Sequence, residues 1–374
     1  MKKVAILYRF LPQYRIDFYN QLKEILLKEN IELNLVYGKS QNGNSKKKDE
    51  VDVNWGTYIP NKFIKIGNLE LIWQPAFKQI KKTDLIIVEQ ANKLLLNYYL
   101  MFLRKFSKKR IAFWGHGINL QDNPNSFGNK FKKLYSRQCD WWFAYTNNVS
   151  RTIQSIGYPL EKITVVQNAI DTRFLKKEYD NLTEDEIIKL KSKLNIGNGP
   201  IGLYCGGMYK EKRLDFISDA CKKIKREIPN FEMIFIGAGA EDYKIKEAAA
   251  SQSWVQYLGT KFSAEKVPFF KMADVFLMPD AVGLAILDSF ALQTPIITTR
   301  GNYHGPEIEY LEDGFNGIMT ENTVEAYSQN VISLLEVKDK IYALKKGCIE
   351  SAKKYTLENM VNNFTEGVKR CLAV

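Results

Sequence analysis

Chemistry in this chain has few places to sit. Only two histidines occur, and each stands beside glycine, in Gly115-His116-Gly117 and His304-Gly305. Imidazole changes charge near neutral pH, and glycine neighbours let a ligand approach the backbone closely. A second place is Gly206-Gly207-Met208-Tyr209-Lys210-Glu211-Lys212-Arg213. Here a glycine turn leads into two cations at the opening of a helical segment, a combination that suits a diphosphate. It is not a Walker-type loop, because the Gly-Lys-Ser/Thr ending is missing. A third place runs from Asp280 through Gly283 and Leu284 to Asp288. Gly283 opens a helix whose free N–H groups suit phosphate oxygens, and Asp288 lies a turn further in on an apolar helix. A carboxylate there has a use if it accepts from a vicinal diol such as a ribose. The fourth is His304-Gly305-Pro306-Glu307. Each has an ordinary alternative: a satisfied structural imidazole, a strand-to-helix turn with exposed lysines, a solvent-facing acid, a surface loop.

What argues against those alternatives is a shared position, since each follows a short apolar run. Such runs occupy 4–7, 32–36, 85–88, 111–114, 141–145 and 163–166, then 201–205, 233–236, 255–258, 275–278 and 296–298. Between them, apolar residues three and four apart predict helices at 16–27, 91–106, 130–137, 149–156, 184–194, 214–228, 264–272 and 284–292. Further helices are expected at 324–335, 342–355 and 357–372. Strands apolar throughout and alternating with helices belong to parallel sheets covered on both faces. Two such series in succession predict an α/β chain of two doubly wound, Rossmann-like domains, 1–172 and 173–356, separated near a polar stretch that ends in Gly197-Asn198-Gly199-Pro200. Ligands of such sheets bind beyond the carboxyl ends of the strands. Two domains facing each other would share a central cleft there.

Composition narrows the classes further. With 374 residues, 45% hydrophobic and 13% aromatic, the chain is neither disordered nor a single small core. No apolar window reaches the length of a membrane-spanning helix, and Met1 to Lys3 leads straight into a strand-like run, so no signal peptide is expected. Five cysteines, with no Cys-x-x-Cys pair, argue against a disulfide framework or a structural zinc and for a cytoplasmic protein. Residues 1–172 hold 27 Lys and Arg against 14 Asp and Glu, and the remainder 27 against 28. The excess charge of the first half suits an anionic partner, or else a solvated basic surface. Within it, 94–103 is apolar and aromatic, and Arg104, Lys105, Lys108, Lys109 and Arg110 follow. That segment reads as a buried helix with a basic end, or as an interfacial element on an anionic membrane. The basic residues are scattered and form no recognition module, so nucleic acid is not expected as a partner.

Taken in order, these motifs resemble the family 4 retaining glycosyltransferases, whose two-domain fold is called GT-B. The likeness runs through Cys205-Gly206-Gly207, Glu211-Lys212-Arg213-Leu214-Asp215, Phe235-Ile236-Gly237-Ala238-Gly239, Leu258-Gly259, Ala273-Asp274, Gly283-Leu284, Asp288-Ser289-Phe290-Ala291 and Asn316-Gly317. The first half is similar more loosely, at Leu11-Pro12-Gln13-Tyr14-Arg15, Trp114-Gly115-His116-Gly117 and Val166-Gln167-Asn168-Ala169-Ile170-Asp171. The resemblance implies that Lys212 and Arg213 bind the donor diphosphate with Gly206 and Gly207 beside them. Asp288 would hold the ribose, and His116 would face the donor sugar. The loop after Gly237 and the residues after Gly259 would hold the base, with Gly283, Leu284 and Glu307 also on the donor side. Arg9, Tyr14 and Arg15 would lie on the acceptor side, and 357–374 would cross back to the first domain. Asp280, His304 and Asn168 have no settled role.

Three departures accompany the likeness. The family's E-x7-E motif is Asp280 and Asp288 here, a basic residue usual in the phosphate loop is Gly207, and no Asp-x-Asp metal motif follows a strand. The expected protein is thus a metal-independent retaining glycosyltransferase without a cofactor, using a UDP- or GDP-linked donor. Its acceptor would be a carbohydrate or lipid-linked glycan, in surface polysaccharide synthesis, with the protein cytoplasmic or peripheral on the inner membrane face. The alternatives are a nucleotide-sugar epimerase of the same architecture, and a non-catalytic partner subunit that binds nucleotide sugar without turning it over.

Overall fold

The apolar runs of the first half meet edge to edge because neither face of them tolerates water. In a computed structural model that describes residues 1–41, 50–67, 69–117 and 135–373, they form β1 (Lys2–Tyr8), β2 (Ile31–Tyr37), β3 (Thr57–Tyr58), β6 (Leu85–Glu89), β7 (Arg110–Gly115), β8 (Trp141–Ala144) and β9 (Ile163–Val165). Between β3 and β6 lies a hairpin of β4 (Lys62–Ile66) and β5 (Leu69–Trp73). The seven strands pair in parallel in the order β3-β2-β1-β6-β7-β8-β9, with Val4 opposite Leu33 on one side and Leu85 on the other. Val4 to Leu7 are buried on both faces, which explains a run without polar alternation.

The second half repeats the plan. Its strands are β10 (Ile201–Cys205), β11 (Glu232–Ile236), β12 (Val255–Tyr257), β13 (Val275–Leu277), β14 (Ile296–Thr299) and β15 (Gly317–Thr320). They form a parallel sheet in the order β12-β11-β10-β13-β14-β15. In each sheet the chain steps outward from its first strand, then returns to that strand's other side. The first sheet therefore reverses between β1 and β6, and the second between β10 and β13. Beyond the carboxyl ends of such a pair the crossovers diverge and leave room for a ligand.

By contact the chain divides into two compact units, Met1–Asp171 with Leu357–Val374, and Thr172–Thr356. Within the first unit, the helix Leu357–Ala373 stacks Phe364 on Phe143, with ring centroids 4.2 Å apart, and sets it edge-on to Phe18 and Trp114. It approaches so closely at Gly367 that a Cβ there would stand 2.6 Å from the Phe143 ring. Among the described residues no helix is long and apolar enough to cross a membrane.

Several elements were not anticipated: β3, the hairpin, β15, and the helices Phe77–Ile80, Arg173–Asn181 and Asp242–Ser251. The last two each bury one residue, Leu175 and Ile245, so no apolar stripe advertises them. The expected helix 91–106 is shorter, Leu95–Arg104, and residues 130–134 of the expected helix 130–137 lie outside the described residues.

Candidate functional site

Three loops of the second unit interlock beyond β10, β13 and β14. Lys212 ends the 3-10 turn Lys210–Lys212 and is only 6% exposed. Its ammonium donates to the Ala281 carbonyl at 2.6 Å and lies 3.5 Å from the Met278 sulfur, joining the loop after β10 to the loop after β13. Arg213 follows with a left-handed backbone (φ 55°), which costs a non-glycine residue about 1 kcal/mol and is kept where the surroundings demand it. Its guanidinium stacks over Phe216, hydrogen-bonds Asn322 and stands 3.9 Å from the Asp280 carboxylate.

Asp280 is almost wholly buried and does not present itself to a ligand. It accepts the N–H groups of Ala281 at 2.7 Å and Tyr303 at 3.1 Å, so it ties the loop after β13 to the loop after β14. His304 completes the knot: Val282 N–H donates to its Nδ1 at 3.2 Å, which leaves the proton on Nε2 to donate to the Thr299 carbonyl at 2.9 Å. Burial holds the His304 pKa below the usual histidine range, and the cations Lys212 and Arg213 add to this against the opposing pull of Asp280. The ring is therefore neutral near pH 7. Glu307 is buried with its carboxylate beside Gly283 and Gly305. Gly283 and Leu284 lead into the helix Ala285–Ala291, whose seven residues make its amides a local feature rather than a long dipole.

Asp288 sits in that helix, and the structure gives it a partner the sequence did not suggest. Lys266, at the end of the 3-10 turn Ser263–Lys266, donates to Asp288 Oδ2 at 2.6 Å, while Asp288 Oδ1 is buried with no hydrogen-bond partner. Burial opposes the Lys266 charge, yet the Asp288 carboxylate outweighs it and keeps the ammonium above the usual lysine range. The nearby Cys205 thiol, pushed up to about 12 by burial, stays protonated and is no nucleophile. Gly206 and Gly207 follow β10 directly, with the Tyr204 hydroxyl donating to the Gly207 carbonyl at 2.7 Å. Gly237 is needed for packing: its φ is 141°, and a Cβ there would fall 1.9 Å from the Gly206 carbonyl oxygen.

In the first unit, His116 is exposed just past β7, its ring 4.5 Å from that of Tyr145. Arg9 pairs with Glu89 at 2.9 Å, joining the carboxyl ends of β1 and β6 at the reversal point. Tyr14 is exposed. Arg15 departs from the acceptor-side expectation. It is 1% exposed, hydrogen-bonded to the Asn168 side-chain oxygen, 3.5 Å from the Met360 sulfur, and packed against Tyr14, Trp114 and Tyr145. The guanidinium is enclosed on all sides by these groups. Arg15 and the buried Asn168 instead fasten the loop after β9 and the last helix to the start of the helix Ile16–Lys28.

Comparison with known proteins bears on the fold and on the second half of the chain. Residues 186–355 match the family model described as glycosyl transferases group 1. A curated relative from Streptococcus pneumoniae, the GtfA subunit of UDP-N-acetylglucosamine–peptide N-acetylglucosaminyltransferase, is 21% identical over 188 residues. Those residues are 47% of this chain and 37% of that protein, so the match spans well under half the relative's length. Among solved structures, a glycosyltransferase from Rickettsia africae superposes with a TM-score of 0.72 at 17% identity, covering 99% of this chain and 98% of the other. The Anabaena protein HepE in complex with UDP gives 0.71 at 14% identity, covering 99% and 100%. The chain thus has the fold of GT-B glycosyltransferases, and the segment holding Lys212, Lys266, Asp280 and Asp288 carries the pattern of glycosyl transferases group 1.

Proposed function

We propose that this protein is a retaining glycosyltransferase that moves a sugar from a nucleotide diphosphate donor to a carbohydrate or lipid-linked glycan. The observation that carries the reading is the cluster beyond β10 and β13: Lys212 and Arg213 beside interlocked loops, with a buried, half-occupied carboxylate at Asp288. Lys212 and Arg213 neutralise the diphosphate as its bond to the sugar breaks, which is electrostatic stabilisation of a leaving group and needs no carboxylate base. Gly206, Gly207, Gly283 and Leu284 let the phosphates approach the backbone. Asp288 Oδ1 accepts from the ribose. His116 acts on the donor sugar in the transfer complex. The names of the pneumococcal and Anabaena relatives mention UDP, which supports UDP ahead of GDP as the donor's nucleotide.

The same reading has the enzyme work without a metal, on the cytoplasmic face of a membrane, in surface polysaccharide synthesis, with the basic first half turned to an anionic surface. A thermal-shift panel of UDP, GDP and their sugars in excess chelator tests the donor part. One nucleotide diphosphate should raise the melting temperature, and its sugar conjugate should be transferred with retained anomeric configuration by NMR. A flat panel would refute donor binding, and an inverted product would refute retention.

A further inference from the structure

The hairpin of β4 and β5 presents one apolar face to solvent. Its cross-strand pairs on that face are Lys62 with Trp73, Ile64 with Leu71 and Ile66 with Leu69. The other face anchors it: Ile72 is buried and its N–H donates to the Lys93 carbonyl at 2.8 Å. On the open face Ile66 is 61% and Leu69 66% exposed. From Trp73 the apolar surface continues through Phe77, 5.5 Å away, to Tyr99, a further 5.0 Å. Tyr99 lies on the helix Leu95–Arg104, which buries Leu96, Asn97 and Leu100. Its outward side carries Tyr99, then Phe102 at 63% exposure, with Phe106 at 73% just beyond the helix and 5.0 Å from Phe102. The helix thus has one buried side and one exposed apolar side.

Single exposed apolar side chains are ordinary; a continuous run of exposed aromatic and branched residues marks a contact surface. The charge of the segments that form it says what kind. Between Lys62 and Lys82 the chain carries Lys62, Lys65, Lys78, Lys81 and Lys82 against Glu70 alone, and between Lys93 and Arg110 it has cations and no acid. Lys78, Lys81, Lys82, Lys105 and Lys108 are exposed. A second copy meeting this face on a two-fold axis would bring the same lysines together, which opposes self-association. An anionic bilayer surface accepts both parts: lysines at the headgroups, and Ile66, Leu69, Phe102 and Phe106 at the acyl boundary.

We propose that the open face of the β4–β5 hairpin and the outward side of the helix Leu95–Arg104 form one surface that docks on an anionic membrane. The proposal deepens the membrane part of the proposed function and involves none of its donor-site residues, so vesicle binding and donor turnover fail separately. The full chain is sedimented with phosphatidylcholine vesicles and with vesicles that also contain phosphatidylglycerol, at low and high salt. Binding is expected to the anionic vesicles alone and to weaken with salt. Ile66→Ser with Leu69→Ser, or Phe102→Ser with Phe106→Ser, should cut it by about tenfold. Lys78→Glu with Lys81→Glu and Lys82→Glu should abolish it. Lys189→Glu with Lys193→Glu and Lys340→Glu, a charge-matched set in the other unit, should leave it intact. Thermal melts of each variant establish that it is folded, and the helix pair serves if the hairpin pair is not. No binding to anionic vesicles at low salt would overturn the proposal. So would binding that both serine pairs leave unchanged, or a dimer in solution that either pair dissolves.

Discussion

Asp288 gives one carboxylate oxygen to Lys266 at 2.6 Å and keeps the other buried without a partner. Both side chains are largely enclosed, so each charge depends on the other, and the spare oxygen is a ready acceptor for a hydroxyl that enters the site.

Removing either charge strands its partner. Lys266→Met and Asp288→Asn should each cost about 3–5 kcal/mol in urea melts, whereas Lys266→Met with Asp288→Leu should cost far less. Both variants that change Asp288 should lose the wild-type preference for a ribonucleotide diphosphate over its 2′,3′-dideoxy form. A double variant as unstable as the singles would contradict the pairing, and a retained ribose preference would remove Asp288 from the site.

His304 should make stability fall in mild acid. Its folded pKa lies below the unfolded value of about 6.5, so below that pH the unfolded chain takes up a proton the folded one refuses. Stability from this group is complete above about pH 7 and drains away as pH falls through the depressed value. His304→Gln should melt with a shallower pH dependence between about pH 7 and pH 5. Parallel curves for variant and wild type would assign the acid response elsewhere.

Arg15 should matter for folding rather than for acceptor use. Arg15→Met should lose about 1.5–3 kcal/mol, the worth of a charged hydrogen bond, here the one to Asn168. Turnover per folded molecule should change little. Normal stability with a raised acceptor KM would return Arg15 to the acceptor side.

Much of this was visible in the residue pattern, for identifiable reasons. Strands such as β1 and β13 are buried on both faces and show as unbroken apolar runs, which also located Gly206, Asp280 and His304 just beyond strand ends. The hairpin did carry a signal, two alternating runs around Gly67-Asn68, but its short strands are mostly exposed and lack an apolar core pattern. The partnerships within the site had no local trace. Lys266 is 22 residues from Asp288 in sequence, and Arg15 meets Asn168 and Met360 across 153 and 345 residues. A cation beside Tyr14 after a strand reads as a surface ligand until the last helix is seen to close over it.

If Lys212 and Arg213 carry the leaving diphosphate, their action is read in nucleoside diphosphate release from the accepted sugar donor. Wild-type protein with donor and acceptor should release the diphosphate as sugar is transferred. Lys212→Ala with Arg213→Ala should slow release by at least about a hundredfold, two charge-assisted contacts being lost from the departing group. The folded variant should also bind the diphosphate more weakly and the nucleoside unchanged. Equal release by variant and wild type, or a sugar isomerised without any acceptor, would contradict the account.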